Sequence, residues 1–202
     1  MNEVLKQHIQ SIFEANQGYA QTGDLTSRGI HTAHIKKLEE EGQIIKLKRG
    51  LYRWNGEVGE AYDEWVDVSK LVPQGVICLL SALSFYELTT YQPWQYDVAI
   101  HRNGTRITLP DYPPIRLFYF SDAQYHLGIV NQNMNGHQVP MYDVEKTLCD
   151  AARYRNRIGA DIVKESFKRY VQRRDKRIDK LMDYARQTRV TSVVERYLEV
   201  LL

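Results

Sequence analysis

The sequence is poor in cysteine and contains no long apolar run. Only two cysteines occur in 202 residues, Cys78 within VICLL and Cys149 within TLCDAA, and there is no Cys-x-x-Cys pair. A disulfide framework and a thiolate metal or redox centre are therefore excluded, and both thiols are expected to be reduced and packed among apolar neighbours. No apolar stretch approaches the roughly 20 residues needed to span a bilayer, and no charged-then-apolar leader opens the chain. A soluble, cytoplasmic protein without membrane contact is expected. Catalytic signatures are missing too: there is no glycine-rich loop ending in Lys-Ser or Lys-Thr, no HExxH and no Gly-x-Ser-x-Gly elbow. Neither an internal repeat nor a low-complexity segment interrupts the chain.

The net charge of +2 conceals an asymmetry. Lys and Arg number 8 against 7 acidic residues over 1–57, 5 against 11 over 58–150, 13 against 5 over 151–189, and 1 against 2 over 190–202. An acidic middle thus separates a locally basic N-terminal segment from a basic C-terminal third. This pattern fits either solvated faces or a protein that meets an anionic polymer at both ends.

The stretch Gln21 to Trp54 organises the N-terminal part. Thr22 suits the N-cap of a helix through Arg28, Gly29 supplies a turn, and His31 to Glu41 reads as a second helix whose apolar residues are Ile35 and Leu38. At about 100° per residue, Ala33, Lys36, Lys37 and Glu40 point away from that stripe, with Thr32 lateral and His34 on the flank. A small, polar, lysine-bearing face of this kind suits a helix laid in the major groove, its first turns at base edges and its lysines at phosphates. Gln43 to Leu47 and Leu51 to Trp54 alternate as two strands around Lys48, Arg49 and Gly50. On that pleat Ile45, Leu47, Tyr52 and Trp54 are expected on a buried face, with Lys46, Lys48 and Arg53 projecting from the other. Four basic residues and no acidic one make this hairpin a cationic wing that can lie along a phosphate backbone. The DNA-binding set read from this pattern is His31, Thr32, Ala33, His34, Lys36, Lys37, Lys46, Lys48, Arg49 and Arg53.

Upstream, Val4 to Gln17 forms a helix with Leu5, Ile9, Ile12 and Phe13 on one stripe, and Tyr19 and Ala20 form a short strand beside the wing. The polar NGEVGE after Trp54 marks a boundary, giving a winged helix-turn-helix over 1–57 and a second domain over 58–202. In that domain the pattern gives a helix over Ala61 to Leu71 and a buried strand over Val76 to Leu80. A helix capped by Ser81 follows, then strands over Trp94 to Ile100 and Ile115 to Phe120. Strands over Leu127 to Asn133 and His137 to Tyr142 form a hairpin turned at Asn135-Gly136. The result is a mixed sheet of about five strands. After Asp143, which can cap VEKTLCDAARYR, four helices follow. The fold class is α+β: an N-terminal winged helix-turn-helix, a mixed-sheet domain and a helical segment.

No arrangement of chemistry-bearing residues reads as a catalytic or metal site, and no cofactor is expected. His31 and His34 lack carboxylate partners. His101, Arg102 and Arg106 crowd one loop as a phosphate site or, more simply, a solvated hairpin tip. Asp97, Glu145 and Lys146 are a weak echo of a metal-dependent nuclease without its Glu-x-Lys strand. Arg153, Arg155, Arg157, Lys168, Arg169, Arg173 and Arg174 form a second basic group, either solvated or in contact with nucleic acid or an acidic partner.

Taken together, the helix-turn-helix ending in RGLY, the SAL at Ser81 to Leu83 after an apolar strand, and VPMYDVEKTLCDAARY at Val139 to Tyr154 followed by basic helices resemble the AbiEi class of abortive-infection type IV antitoxins. Two departures stand out: Asp143-Val144 where the family often has Ser or Thr then Pro, and Thr32-Ala33 where it usually has more arginine. The resemblance implies a non-enzymatic autorepressor that binds inverted repeats in its own promoter, on double-stranded DNA. It also implies an antitoxin that counteracts a nucleotidyltransferase-like toxin, with or without a direct complex. The alternatives are a ligand-responsive winged-helix regulator with a sensor domain, and a DNA-tethered nuclease or nucleotide-processing enzyme.

Overall fold

Residues 2–56, 63–104 and 107–201 are described in the computed structural model. The boundary drawn between 57 and 58, Ala61 and Arg106 lie outside the described residues.

Helix α1 (Glu3–Ala15) starts at Asn2, whose side chain accepts the Val4 N–H, and buries Ile9, Ile12 and Phe13 along its apolar stripe. Strand β1 (Tyr19–Gln21) leads into α2 (Thr22–Thr26), and α3 (Thr32–Glu40) follows a turn in which Gly29 takes φ +80°. Thr22 is not the N-cap of α2. Its N–H is spent on Gly50 O at 2.9 Å, so β1 runs one residue further and the cap falls on Gln21, whose own N–H donates to the Asp24 carboxylate. His31 is the cap residue of α3, and Ile35 and Leu38 are its buried side chains. The hairpin β2 (Ile44–Lys48) and β3 (Leu51–Trp54) completes a three-stranded antiparallel sheet in the order β1-β3-β2. Helices α1 to α3 and this sheet share one core, in which Ile9, Phe13, Leu25, Ile35, Leu38 and Tyr52 meet.

Helix α4 (Asp63–Leu71) precedes a five-stranded sheet built from β4 (Val76–Ile77), β5 (Tyr96–His101), β6 (Ile115–Phe120), β7 (Ile129–Met134) and β8 (His137–Tyr142). Its order is β6-β5-β4-β8-β7. The β5/β6 and β4/β8 pairs are parallel, and the β4/β5 and β7/β8 pairs antiparallel. Asn135 and Gly136 turn β7 into β8 with positive φ at both, as Asn-Gly predicts. The apolar run after Val76 does not stay extended. Cys78 N–H pairs with Asp97 O, the Asp97 carboxylate takes the Leu80 N–H at 3.1 Å, and the chain enters α5 (Leu79–Phe85). Ser81 therefore sits inside α5 rather than capping it, and its hydroxyl accepts the Asp97 N–H at 2.8 Å.

A short α6 (Asp122–Tyr125) follows β6. Beyond β8 the described chain is helical: α7 (Val144–Arg153), α8 (Arg155–Ile158), α9 (Ala160–Gln172), α10 (Ile178–Gln187) and α11 (Thr191–Leu201). Asp143 caps α7 as its sequence suggests, accepting the Lys146 N–H at 2.9 Å. These helices and α5 cover one face of the large sheet around Phe118, Phe120, Tyr142, Leu148 and Phe167. The other face, with Ile77, Val98, Val139 and Met141, is covered by α4 together with Tyr19, Leu47 and Leu51 of the small sheet. The architecture is thus α+β, a winged helix-turn-helix followed by a mixed sheet and helices.

The wing is covered on both faces. Burying Leu47 and Leu51, which are 6% and 8% exposed, is worth roughly 3 to 6 kcal/mol before the entropy of fixing them, enough to set how the hairpin lies.

Candidate nucleic-acid interface

The candidate interface begins on α3. Because Ile35 and Leu38 hold one side of the helix in the core, Thr32, Ala33, Lys36, Lys37 and Glu40 are all exposed, and His31 is exposed at the cap. His34 is half-buried on the flank, 6.1 Å from His31 between ring centres, and its buried Nδ1 has no hydrogen-bond partner among the described residues. Lys36 pairs with Glu40 at 3.6 Å and Lys37 with Glu41 at 3.8 Å. Exposed i,i+4 contacts of this kind are weak and readily exchanged for a phosphate. Glu39, Glu40 and Glu41 make the end of the helix acidic, so an anionic polymer is tolerated best along the first two turns. A groove of about 600 Å³ lies between α3 and the wing, bounded by Thr32, Ala33, Lys36, Lys46 and Tyr52, with Glu39 and Glu40 at the end of α3 also lining it.

The wing cations do not share one face. Register pairs Ile44 with Trp54, Ile45 with Arg53 and Lys46 with Tyr52, and a bulge between Lys46 and Lys48 then resets the alternation. Ile44, Lys46, Tyr52 and Trp54 consequently point to the α1–α3 side, where Lys46 reaches solvent beside α3. Ile45, Leu47, Leu51 and Arg53 face α4. This corrects the simple pleat in two ways. Lys48 donates to Leu71 O, at the C-terminal end of α4, at 2.9 Å, and burial lowers its ammonium from the ordinary lysine value. Arg53 Nε lies 3.4 Å from Asp67 Oδ1, and the same buried oxygen accepts the Tyr19 hydroxyl at 2.8 Å. Arg49 is exposed at the tip. The side of the hairpin carrying Lys48 and Arg53 is folded onto the middle of the chain, and the other side packs on the α1–α3 core and leaves Lys46 exposed beside α3. One cation that the sequence pattern did not single out, Arg28, is also exposed, in the turn entering α3.

The second basic group is dispersed. Arg157, Lys168 and Arg174 are exposed, and the Arg157 guanidinium lies 4.9 Å from the centre of the Phe118 ring. Arg155 donates to Ala152 O, Arg169 pairs with Glu165, and Arg173 makes a two-pronged contact with Asp175 while also donating to Tyr86 O. Arg153 is half-buried, and its Nε has no hydrogen-bond partner among the described residues. The nuclease echo does not assemble. Asp97, fully buried, is occupied by both prongs of Arg116 at 2.8 and 2.9 Å, which oppose the upward push of burial on its carboxyl. Lys146 is locked on Asp150 at 2.6 Å, and Glu145 meets Tyr170 and Lys180. His101 lies 3.6 Å from Asp122, while Arg102 is exposed in the adjoining turn. Among the described residues no three His, Cys, Asp or Glu side chains converge on a metal position, and no helix is long and apolar enough to cross a membrane.

Residues 7–54, from α1 to the end of β3, match the family described as transcriptional regulator, AbiEi antitoxin. The match spans the elements that form the interface. The crystal structure of the RV2827C protein from Mycobacterium tuberculosis is similar in fold, with a TM-score of 0.55 at 13% identity, over 96% of this chain and 80% of that one. No curated protein matches the chain.

Proposed function

We propose that this protein is a winged-helix DNA-binding autorepressor that reads inverted repeats in its own promoter through α3. Residues 1–57 act as the DNA-binding domain, and 58–202 carry the antitoxin activity against a nucleotidyltransferase-like toxin. The observation that carries the DNA reading is the outward face of α3, small at Thr32 and Ala33, with Lys36 and Lys37 beside it and Lys46 across the groove. Small side chains let the helix approach base edges, and cations on both sides of it fix its register on the phosphates. Lys36, Lys37, Lys46 and Arg49 are the phosphate contacts, with His31, Thr32, Ala33 and His34 nearest the bases. Lys48 and Arg53 fix the wing to α4 instead. The antitoxin reading rests on the family description of residues 7–54.

Fluorescence anisotropy with the DNA upstream of its own gene tests the first part. Four phosphate contacts per site predict a log–log salt slope of about −3.6, and replacing Lys36 and Lys37 by Ala removes about half of it. Salt-independent binding, or binding untouched by the double replacement, would rule the interface out. Co-expression with the neighbouring gene tests the second part: rescue of growth is expected, and continued toxicity with soluble protein present would refute it.

A further inference from the structure

Where the wing tip meets α4 and β8 there is a cleft of about 520 Å³ bounded by Gln21, Lys48, Arg49, Ser69, Lys70 and Gln138. Three cations converge there, and no carboxylate lines it among the described residues. Elsewhere Arg53, Arg116, Lys146, Arg169, Arg173 and Lys180 each meet a carboxylate.

By contrast, Lys48 has Leu71 O as its protein acceptor, Lys70 rests 5.5 Å from the centre of the Tyr19 ring, and Arg49 is exposed. Although a carbonyl at the C-terminal end of α4 holds Lys48, the three cations share one concavity without a carboxylate and repel one another, and burial already disfavours the charge on Lys48. An anion seated among them relieves both effects. The guanidinium of Arg49 offers two parallel donors to phosphate oxygens, the two ammonium groups act as point charges, and Ser69, Gln21 and Gln138 supply neutral hydrogen-bonding groups. The volume falls in the range of small-molecule sites.

We propose that this cleft binds a small polyphosphate of pyrophosphate or nucleoside-diphosphate size. The same chemistry is offered by the backbone of DNA, so the test separates the two sources. Titration calorimetry of the full chain with pyrophosphate and with ADP, in low salt and without DNA, should show saturable binding. Arg49→Gln and Lys70→Gln should each weaken it at least tenfold with little change in melting temperature, since neither side chain pairs with a carboxylate in the cleft. Absence of saturable binding, or wild-type affinity in both variants, overturns the proposal. A lower DNA salt slope in the variants without any pyrophosphate binding also overturns it, because the cleft would then serve backbone phosphates alone. Pyrophosphate binding is measured without DNA, so its failure is distinguishable from failure of the repressor reading.

Discussion

Replacing Asp67 by Ala tests whether the wing is clamped to α4. The Asp67 side chain is 6% exposed and that of Arg53 18%, and one oxygen, Oδ1, serves both Arg53 Nε and the Tyr19 hydroxyl. An exposed pair contributes about 0 to 1 kcal/mol, whereas breaking a fully buried one costs about 3 to 5 kcal/mol. The partial exposure of Arg53 places this pair between those limits, at about 2 to 3 kcal/mol, including the lost acceptor of a buried tyrosine hydroxyl. For a chain of this size that corresponds to a fall in Tm of roughly 4 to 12 °C. Urea unfolding followed by circular dichroism measures it directly, and the midpoint should fall with an unchanged slope. A loss below about 0.5 kcal/mol would show that the contact holds nothing, and the assignment of Arg53 to the fold would fail.

Further outcomes follow from the buried groups. Lys146→Met strands the fully buried Asp150 carboxylate and should cost about 3 to 5 kcal/mol in urea unfolding, whereas Lys146→Met with Asp150→Leu should recover most of it. Burial holds the Asp150 carboxyl above its ordinary value, so its stabilising contribution is full below the unfolded value and is lost as pH rises through the folded one. The Lys146→Met deficit should therefore be smaller at pH ~4.5 than at pH ~7.5, and an equal deficit would contradict the sign. Burial also pushes the Cys149 thiol up to about 12 and raises Cys78, so a thiol reagent should label neither until the chain unfolds; rapid labelling of native protein would contradict their packing. Gly75→Ala should destabilise, because a Cβ there would stand 2.5 Å from Val98 Cγ1 and 2.6 Å from Val72 Cγ1, and wild-type stability in that variant would refute the close approach.

Much of this structure is legible in local pattern. The Ile35 and Leu38 stripe orients α3 because a nine-residue helix with two large apolar residues has one way to bury them. Asn135-Gly136 and Asp143 act within three residues of themselves, so their turn and cap are readable from sequence. Local pattern fails where distant residues decide. Alternation assigns Lys48 and Arg53 to solvent, but the bulge beside Leu47 changes the count, and the partners Leu71 and Asp67 belong to a later helix. Asp97 likewise captures the Leu80 N–H from a strand 17 residues away, turning an apolar run from strand into helix. Lys70 enters the cleft only through tertiary packing.

If the wing cations divide as proposed between DNA and the fold, the salt dependence of DNA binding in two variants reads out the division. Lys46→Ala should reduce the log–log slope by about 0.9, the value for one lost phosphate contact, while Arg53→Ala leaves the slope unchanged and lowers stability. The opposite result, with Arg53→Ala reducing the slope and Lys46→Ala leaving it intact, would contradict the division.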